Sequence, residues 1–493
     1  MVRFKQNPSM IKLENLPFLT NDVFYEKIIK AVENSGRIAS YFVYKYKDKL
    51  NALAVILFDE TKEFELFATE INKKLNPLYN KVPQIYNFER EIFEQYPDAI
   101  HGEGLKPLRF HKPFEGKGKS NQIGDMDFFE IDSHETHQVG VGPVHAGIIE
   151  PGHFRFNCYG EQVLSLEISL GYQHRGIEKS LIGGPYKDSF YKIQTASGDS
   201  TVAHTICYLG NLEALSKVEP HIDSQLKRMA ALELERIANH VGDLGGLATD
   251  IGFLPTASYC GRIRGDFLNM TADLCGNRFG RSLLSFGGEK VEKSIFEKIV
   301  KKIDALKPNL LGAVEMLWNT PSVMSRFDNT GVLPKEIAVE LGIVGLHRRA
   351  SGINNDIRKD LPFLLYNKYF KEIQTEDLHG DVLGRGLVRY REILNSLNMF
   401  TDIASDINDR AQEQHSNCLL NANSISVSFS EGFRGEICHV AITDEDGKLL
   451  RYKIVDPSFH NWNGLAYVVR NEGIYDFPLC NKSFNLSYCG FDL

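Results

Sequence analysis

GPVHAGIIEPGHFRFNCYGEQVLSLEISLGYQHRGIEK, residues 142–179, interleaves Gly/Pro turns with short runs of alternating apolar and polar residues. Alternation puts one face of a strand toward a core, so this stretch predicts a hairpin-rich β segment. Downstream, from Gly184 to Asp409, the period changes. SQLKRMAALELERIANHVGDLGGLA and KSIFEKIVKKIDALKPNLLGAVEMLW repeat apolar residues three and four apart and predict long amphipathic helices. From Ser424 the alternation returns in SISVSFS, GEICHVAITD and LLRYKIVD, with a turn at Asp446-Gly447. Upstream, residues 12–85 predict a small α/β module: a helix over 21–35, strands over 38–46 and 50–58 with Asp48 in the turn, a strand over 63–68, then a short helix.

The polar, Gly-bearing stretch FEGKGKSNQIGD, residues 114–125, reads as linker. The expected division is therefore a module at 1–113, a linker at 114–134 and a large domain at 135–493. The fold class is α+β, the large domain having a helical-bundle core flanked by antiparallel β segments. A chain of 493 residues is too long for one compact core, which agrees with at least two domains.

Composition narrows the function. With 43% hydrophobic and 24% charged residues and a mean hydropathy of −0.24, the chain is neither disordered nor collagen-like. A net charge of −8 argues against a nucleic-acid partner, because that affinity comes chiefly from neutralising phosphates. No apolar run is long enough to span a bilayer, and the first residues lack the apolar stretch of a secretory signal. The expected location is the cytoplasm. The eight cysteines (158, 207, 260, 275, 418, 438, 480 and 489) form no CxxC pair and read as reduced, mostly buried thiols. No GxGxxG stands in a strand–turn–helix setting, so no nicotinamide site is expected.

Two long motifs carry a family resemblance: GPVHAGIIEPGHFRF with LGYQHRGIEK, and GLHRRASGINNDIRKD at 345–360. With the helices between them, they resemble the large subunits of energy-converting NiFe-hydrogenases and the 49-kDa-type quinone-site subunit of complex I. FEREIFEQY (88–96) and LKPLRFHK (105–112) resemble the 30-kDa-type subunit of complex I, here fused in front. The resemblance implies a peripheral subunit on the cytoplasmic face of the cell membrane. It would dock on an iron–sulfur small subunit and on membrane subunits of an ion-translocating arm. No cofactor is expected on this chain alone, beyond possible quinone.

The family's metal positions are altered. Its CGxCxxxH pattern corresponds to SGDSTVAH, with Ser197 and Ser200 at the cysteine positions and His204 kept. Its DPCxxC pattern corresponds to NLSYCG, with Ser487 and Gly490 at the ligand positions and Cys489 one residue away; a rival register on DPSFHN gives Ser458 and Asn461. A nickel–iron centre needs soft thiolates, and serine hydroxyls do not replace them. No metal centre is expected.

By the same resemblance His145, Tyr186 and Asp250 match the His, Tyr and orienting Asp of a quinone head-group pocket. His and Tyr can each donate a proton to quinone oxygens, and a carboxylate behind the His would fix its tautomer. The alternative is a cavity of satisfied polar groups. His174 and Arg175 match residues near the partner's cluster, or else pair with Glu178. Arg349 and Asp356 would form a buried ion pair lining the former metal cavity. His221, His240 and His415 lack ligand spacing and read as structural. The IGGP loop at 182–185, beside Tyr186, is the candidate for an element with two arrangements. Three functions compete: reduction of a quinone or other small acceptor, a hydrogenase with unusual ligands, and a non-catalytic coupling scaffold.

Overall fold

The computed structural model describes residues 3–109, 127–145, 149–409 and 418–493. Most of the expected linker, the end of LKPLRFHK, residues 146–148 and His415 lie outside the described residues. Twelve strands run in chain order among the described residues: β1 (Arg3–Phe4), β2 (Ser9–Lys12), β3 (Phe18–Leu19), β4 (Arg37–Tyr46), β5 (Lys49–Phe58), β6 (Glu63–Glu70), β7 (Thr136–Val141), β8 (His153–Tyr159), β9 (Gln162–Ser169), β10 (Ser424–Glu431), β11 (Glu436–Thr443) and β12 (Leu449–Val455).

They form three sheets. The first has the order β1-β6-β5-β4, with β3 added parallel to β6; the helix Asn21–Glu33 covers it through Phe24 and Ile28. Lys47 and Asp48 both have positive φ in the β4–β5 turn, the backbone a two-residue hairpin needs. The third sheet is the meander β7-β8-β9, drawn largely from the stretch 142–179. The second has the order β12-β11-β10-β2 and draws its edge strand from the opposite end of the chain, Ser9 facing Val427 and Lys12 facing Ser424.

The helices Ile222–Asp250, Leu254–Cys275, Lys293–Trp318 and Val382–Asp406 pack as the central bundle. The helix Thr201–Ser216 is buried nearly all round because it lies between this bundle and the β10–β11 face. One continuous apolar core joins the N-terminal sheet, the bundle and the C-terminal sheet. Phe64 meets Phe429 at 5.4 Å, and Arg37 pairs with both Asp59 and Glu436 at 2.7 Å. All eight cysteines are unpaired and six are buried. Among the described residues no helix is long and apolar enough to cross a membrane.

Candidate functional site

The turn before the Thr201–Ser216 helix and the C-terminal segment 485–492 meet. Ser197 Oγ lies 2.9 Å from Ser487 Oγ, so two positions distant in sequence share one hydrogen bond. Ser487 caps the short helix Tyr488–Phe491: its Oγ accepts from the Gly490 amide at 2.9 Å. Its own amide donates to Ser458 Oγ at 2.8 Å, which brings the rival register's first residue into the same place. Asn461 turns away to the Val344 backbone and His347. Ser200 makes no side-chain cap. Instead the Glu235 carboxylate takes the Val202 and Ala203 amides at 2.7 and 3.2 Å. Burial pushes Glu235 up to about 8 against the pull of those amides.

Gly490, expected from the resemblance at the fourth ligand position, leaves no room for a side chain. A Cβ there would stand 2.6 Å from Asp456 Cγ, inside any allowed contact. Cys489 Sγ lies 3.3 Å from Ser487 Oγ, but burial pushes its thiol up to about 11, away from thiolate character. A nickel–iron centre would find hydroxyls where it needs thiolates and a carboxylate where the fourth sulfur belongs. The residues present do not fit that group.

Asp456 begins a buried chain of side chains. His204 Nε2 donates to Asp456 Oδ2 at 3.0 Å, His204 Nδ1 faces His439 Nε2 at 3.0 Å, and His439 Nδ1 faces Tyr452 Oη at 2.9 Å. All four are fully buried. Burial would raise the Asp456 carboxyl, yet the His204 hydrogen bond and the Arg434 charge hold it below its ordinary value. An ionised carboxylate only accepts, so His204 carries its proton on Nε2. With His204 neutral, every donor in the chain points toward Asp456, from Tyr452 through His439. Burial, then the nearby His204, lowers the His439 imidazole well below its ordinary value, which agrees with a neutral His439 that donates to His204 and accepts from Tyr452.

On the other side of Ser197, Asp199 pairs with Arg434 through two bonds of 2.6 and 2.7 Å. Arg434 reaches on to the Asn485 carbonyl, Asn485 donates to Asp243 at 2.7 Å, and Asp243 takes Arg389 at 2.9 Å. Asp199, Asp243 and Asn485 wall a cavity of about 340 Å³, which Arg264 and Lys482 also line. A larger hollow of about 560 Å³ lies near Tyr86, Arg90 and Trp462, and none of the sequence-predicted site residues lines it.

The expected quinone-pocket residues stand apart. His145 Nε2 is 2.7 Å from the Gly152 carbonyl. Tyr186 is half exposed, and its hydroxyl donates to the Ile182 carbonyl at 2.9 Å. Asp250 ends the Ile222–Asp250 helix; burial lifts its carboxyl to about 6, opposed by the charge of Lys482. No hydrogen bond among the described residues joins any two of the three.

His174 Nδ1 lies 3.1 Å from the Asp492 carbonyl, and burial, then the Arg109 charge, lowers its imidazole. Exposed Arg175 donates to the carbonyls of Gln173 and Ala196. Glu178 takes Lys453 and Arg451, both at 2.9 Å, rather than Arg175. Arg349 and Asp356 stand 3.3 Å apart in the core, and Arg349 also pairs with Glu392 and Glu431. His240 donates to Glu392, and His221 caps the helix that begins at Ile222. Sequence reasoning does not single out Asp199, Arg434, His439, Tyr452 or Asp456. The one signal is adjacency to motifs: Asp199 lies between the two serines, and Asp456 opens DPSFHN.

Comparison with known proteins agrees with this fold. Residues 250–428 match the family model of the respiratory-chain NADH dehydrogenase 49 kDa subunit. The carbon monoxide-induced hydrogenase of Rhodospirillum rubrum is 28% identical over 353 residues, 71% of this chain and 97% of that protein. One component chain of the F420H2 dehydrogenase of Methanosarcina mazei is 32% identical over 263 residues, 52% of this chain and 70% of that protein. A chain from the archaeal membrane-bound sulfane sulfur reductase shares the fold, with a TM-score of 0.68 at 22% identity over 74% of this chain and all of that one. The chain belongs to the family that unites hydrogenase large subunits with the 49-kDa-type subunit of NADH dehydrogenases. It is thus a subunit of an oxidoreductase complex.

Proposed function

We propose that this chain forms the electron-accepting end of a membrane-associated, hydrogenase-related complex and works without a nickel–iron centre. The observation that supports this is the Ser197–Ser487 hydrogen bond together with Asp456, which leaves no room for a side chain at Gly490. Electrons would arrive from an iron–sulfur cluster on a small subunit, near His174 and Arg175, and the acceptor would take them in the space those ligands left. The buried Asp456–His204–His439–Tyr452 chain would hold a proton there. Membrane subunits of the complex I type would couple this redox change to ion movement. The IGGP loop, pinned to β12 by two bonds of 2.7 Å between Gly183, Gly184 and Leu449, is the element that would carry it. A quinone held by His145 and Tyr186 would require both side chains to leave their present carbonyl partners.

The experiment is Ser197→Ala with Ser487→Ala in the purified complex. Electron flow from a reduced viologen to a quinone analogue or an organic trisulfide is the readout. Turnover within about twofold of the parent is expected, since the hydroxyls hold no metal. Loss of both a bound metal and turnover would overturn the proposal.

A further inference from the structure

Two cations line the cavity beside Asp199, and among the described residues neither makes an ion pair or a hydrogen bond there. Gly242 and Gly246 lie one turn apart on the same face of the Ile222–Asp250 helix. Arg264, from the helix Leu254–Cys275, lies across Gly242: a Cβ there would be 2.6 Å from Arg264 Cδ and 2.8 Å from Nε. Lys482, from the helix Phe477–Phe484, lies across Gly246, where a Cβ would overlap its Cε. The glycines thus make room for both side chains to enter the cavity.

Among the described residues neither cation has a hydrogen-bonded or ion-paired partner, and Arg264 Nε is buried unbonded. The acids of the same wall are already committed, Asp199 to Arg434 and Asp243 to Arg389. Asp250 acts on Lys482 only at longer range. A guanidinium and an ammonium that line one cavity draw an anion into it, and the planar guanidinium can hold two acceptor atoms side by side.

We propose that this cavity binds a small hydrophilic oxyanion, either a carboxylate or a tetrahedral inorganic anion, gripped between Arg264 and Lys482. Charged side chains, amides and glycine backbone wall the cavity of about 340 Å³, a lining that suits a hydrated oxyanion and offers no apolar run for a quinone tail. The site deepens the proposed acceptor role, on which only its redox meaning rests; binding itself does not depend on that reading.

The test is calorimetric titration of the intact complex at low ionic strength with sodium formate, phosphate and thiosulfate. Saturable binding of at least one anion at one site per chain is expected. Arg264→Gln and Lys482→Gln should each weaken it about tenfold or more, while Lys62→Gln, in the turn between β5 and β6, leaves it unchanged. Preference for formate would assign the carboxylate, and preference for phosphate or thiosulfate the tetrahedral anion. If Arg264→Gln fails to fold, Lys482→Gln decides alone. No saturable binding of any of the three, or binding unaltered by the substitutions, would overturn the proposal whatever the metal content.

Discussion

Gly490, which the resemblance puts at a ligand position, has no space for a side chain, because Asp456 already stands there. Asp456 in turn cannot retreat without breaking its bond to His204 and its cap on the Ser458 amide. Gly490→Ala is therefore expected to cost about 1–3 kcal/mol by overpacking, read as a lower denaturant midpoint; an unchanged midpoint would show that Asp456 has room to move. Glu235 gives a second test at this scale. Its folded value of about 8 lies above the ordinary value of about 4.3 for glutamate. A raised acid stabilises the fold below the ordinary value, and that contribution is lost as pH rises through the folded value. Stability should fall between about pH 5 and 8 with a slope of up to about 1.4 kcal/mol per unit. Glu235→Gln should flatten that fall, as denaturation at several pH values would reveal. Parallel curves for the two proteins would contradict it.

Among elements, the long helices are legible in the sequence because their apolar period is local: the expected helix over 224–248 is observed as Ile222–Asp250, and that over 293–318 as Lys293–Trp318. The strands after Ser424 are legible for the same reason. Strand β2 is not, since four residues show no period and their pairing partner, β10, lies at the far end of the chain. The serine pair can be anticipated from the family resemblance, whereas the Asp199–Arg434 pair and the His204–His439 contact join segments that no local pattern relates. The pairing of β2 has a consequence. Removing residues 1–12 should speed amide hydrogen exchange across β10 more than across β12, on the opposite edge of that sheet. Equal protection in both strands would mean that β2 contributes little to the sheet.

At the scale of the whole molecule, the shared core ties the N-terminal sheet to the C-terminal one, so the serine pair, the buried Asp456–His204–His439–Tyr452 chain and the cavity are fixed within one framework. That framework is the family's, and its relatives belong to hydrogenases and NADH dehydrogenases. What the proposal turns on is the chemistry at the positions where the resemblance expects metal ligands: hydroxyls at Ser197, Ser200 and Ser487, and at Gly490 no side chain at all. The account of function depends on that difference. Its most direct test is metal analysis of the complex purified under reducing conditions, alongside assays of dihydrogen uptake and evolution. Iron without nickel, and no hydrogen turnover, is the expected result. Stoichiometric nickel with hydrogen turnover would contradict it.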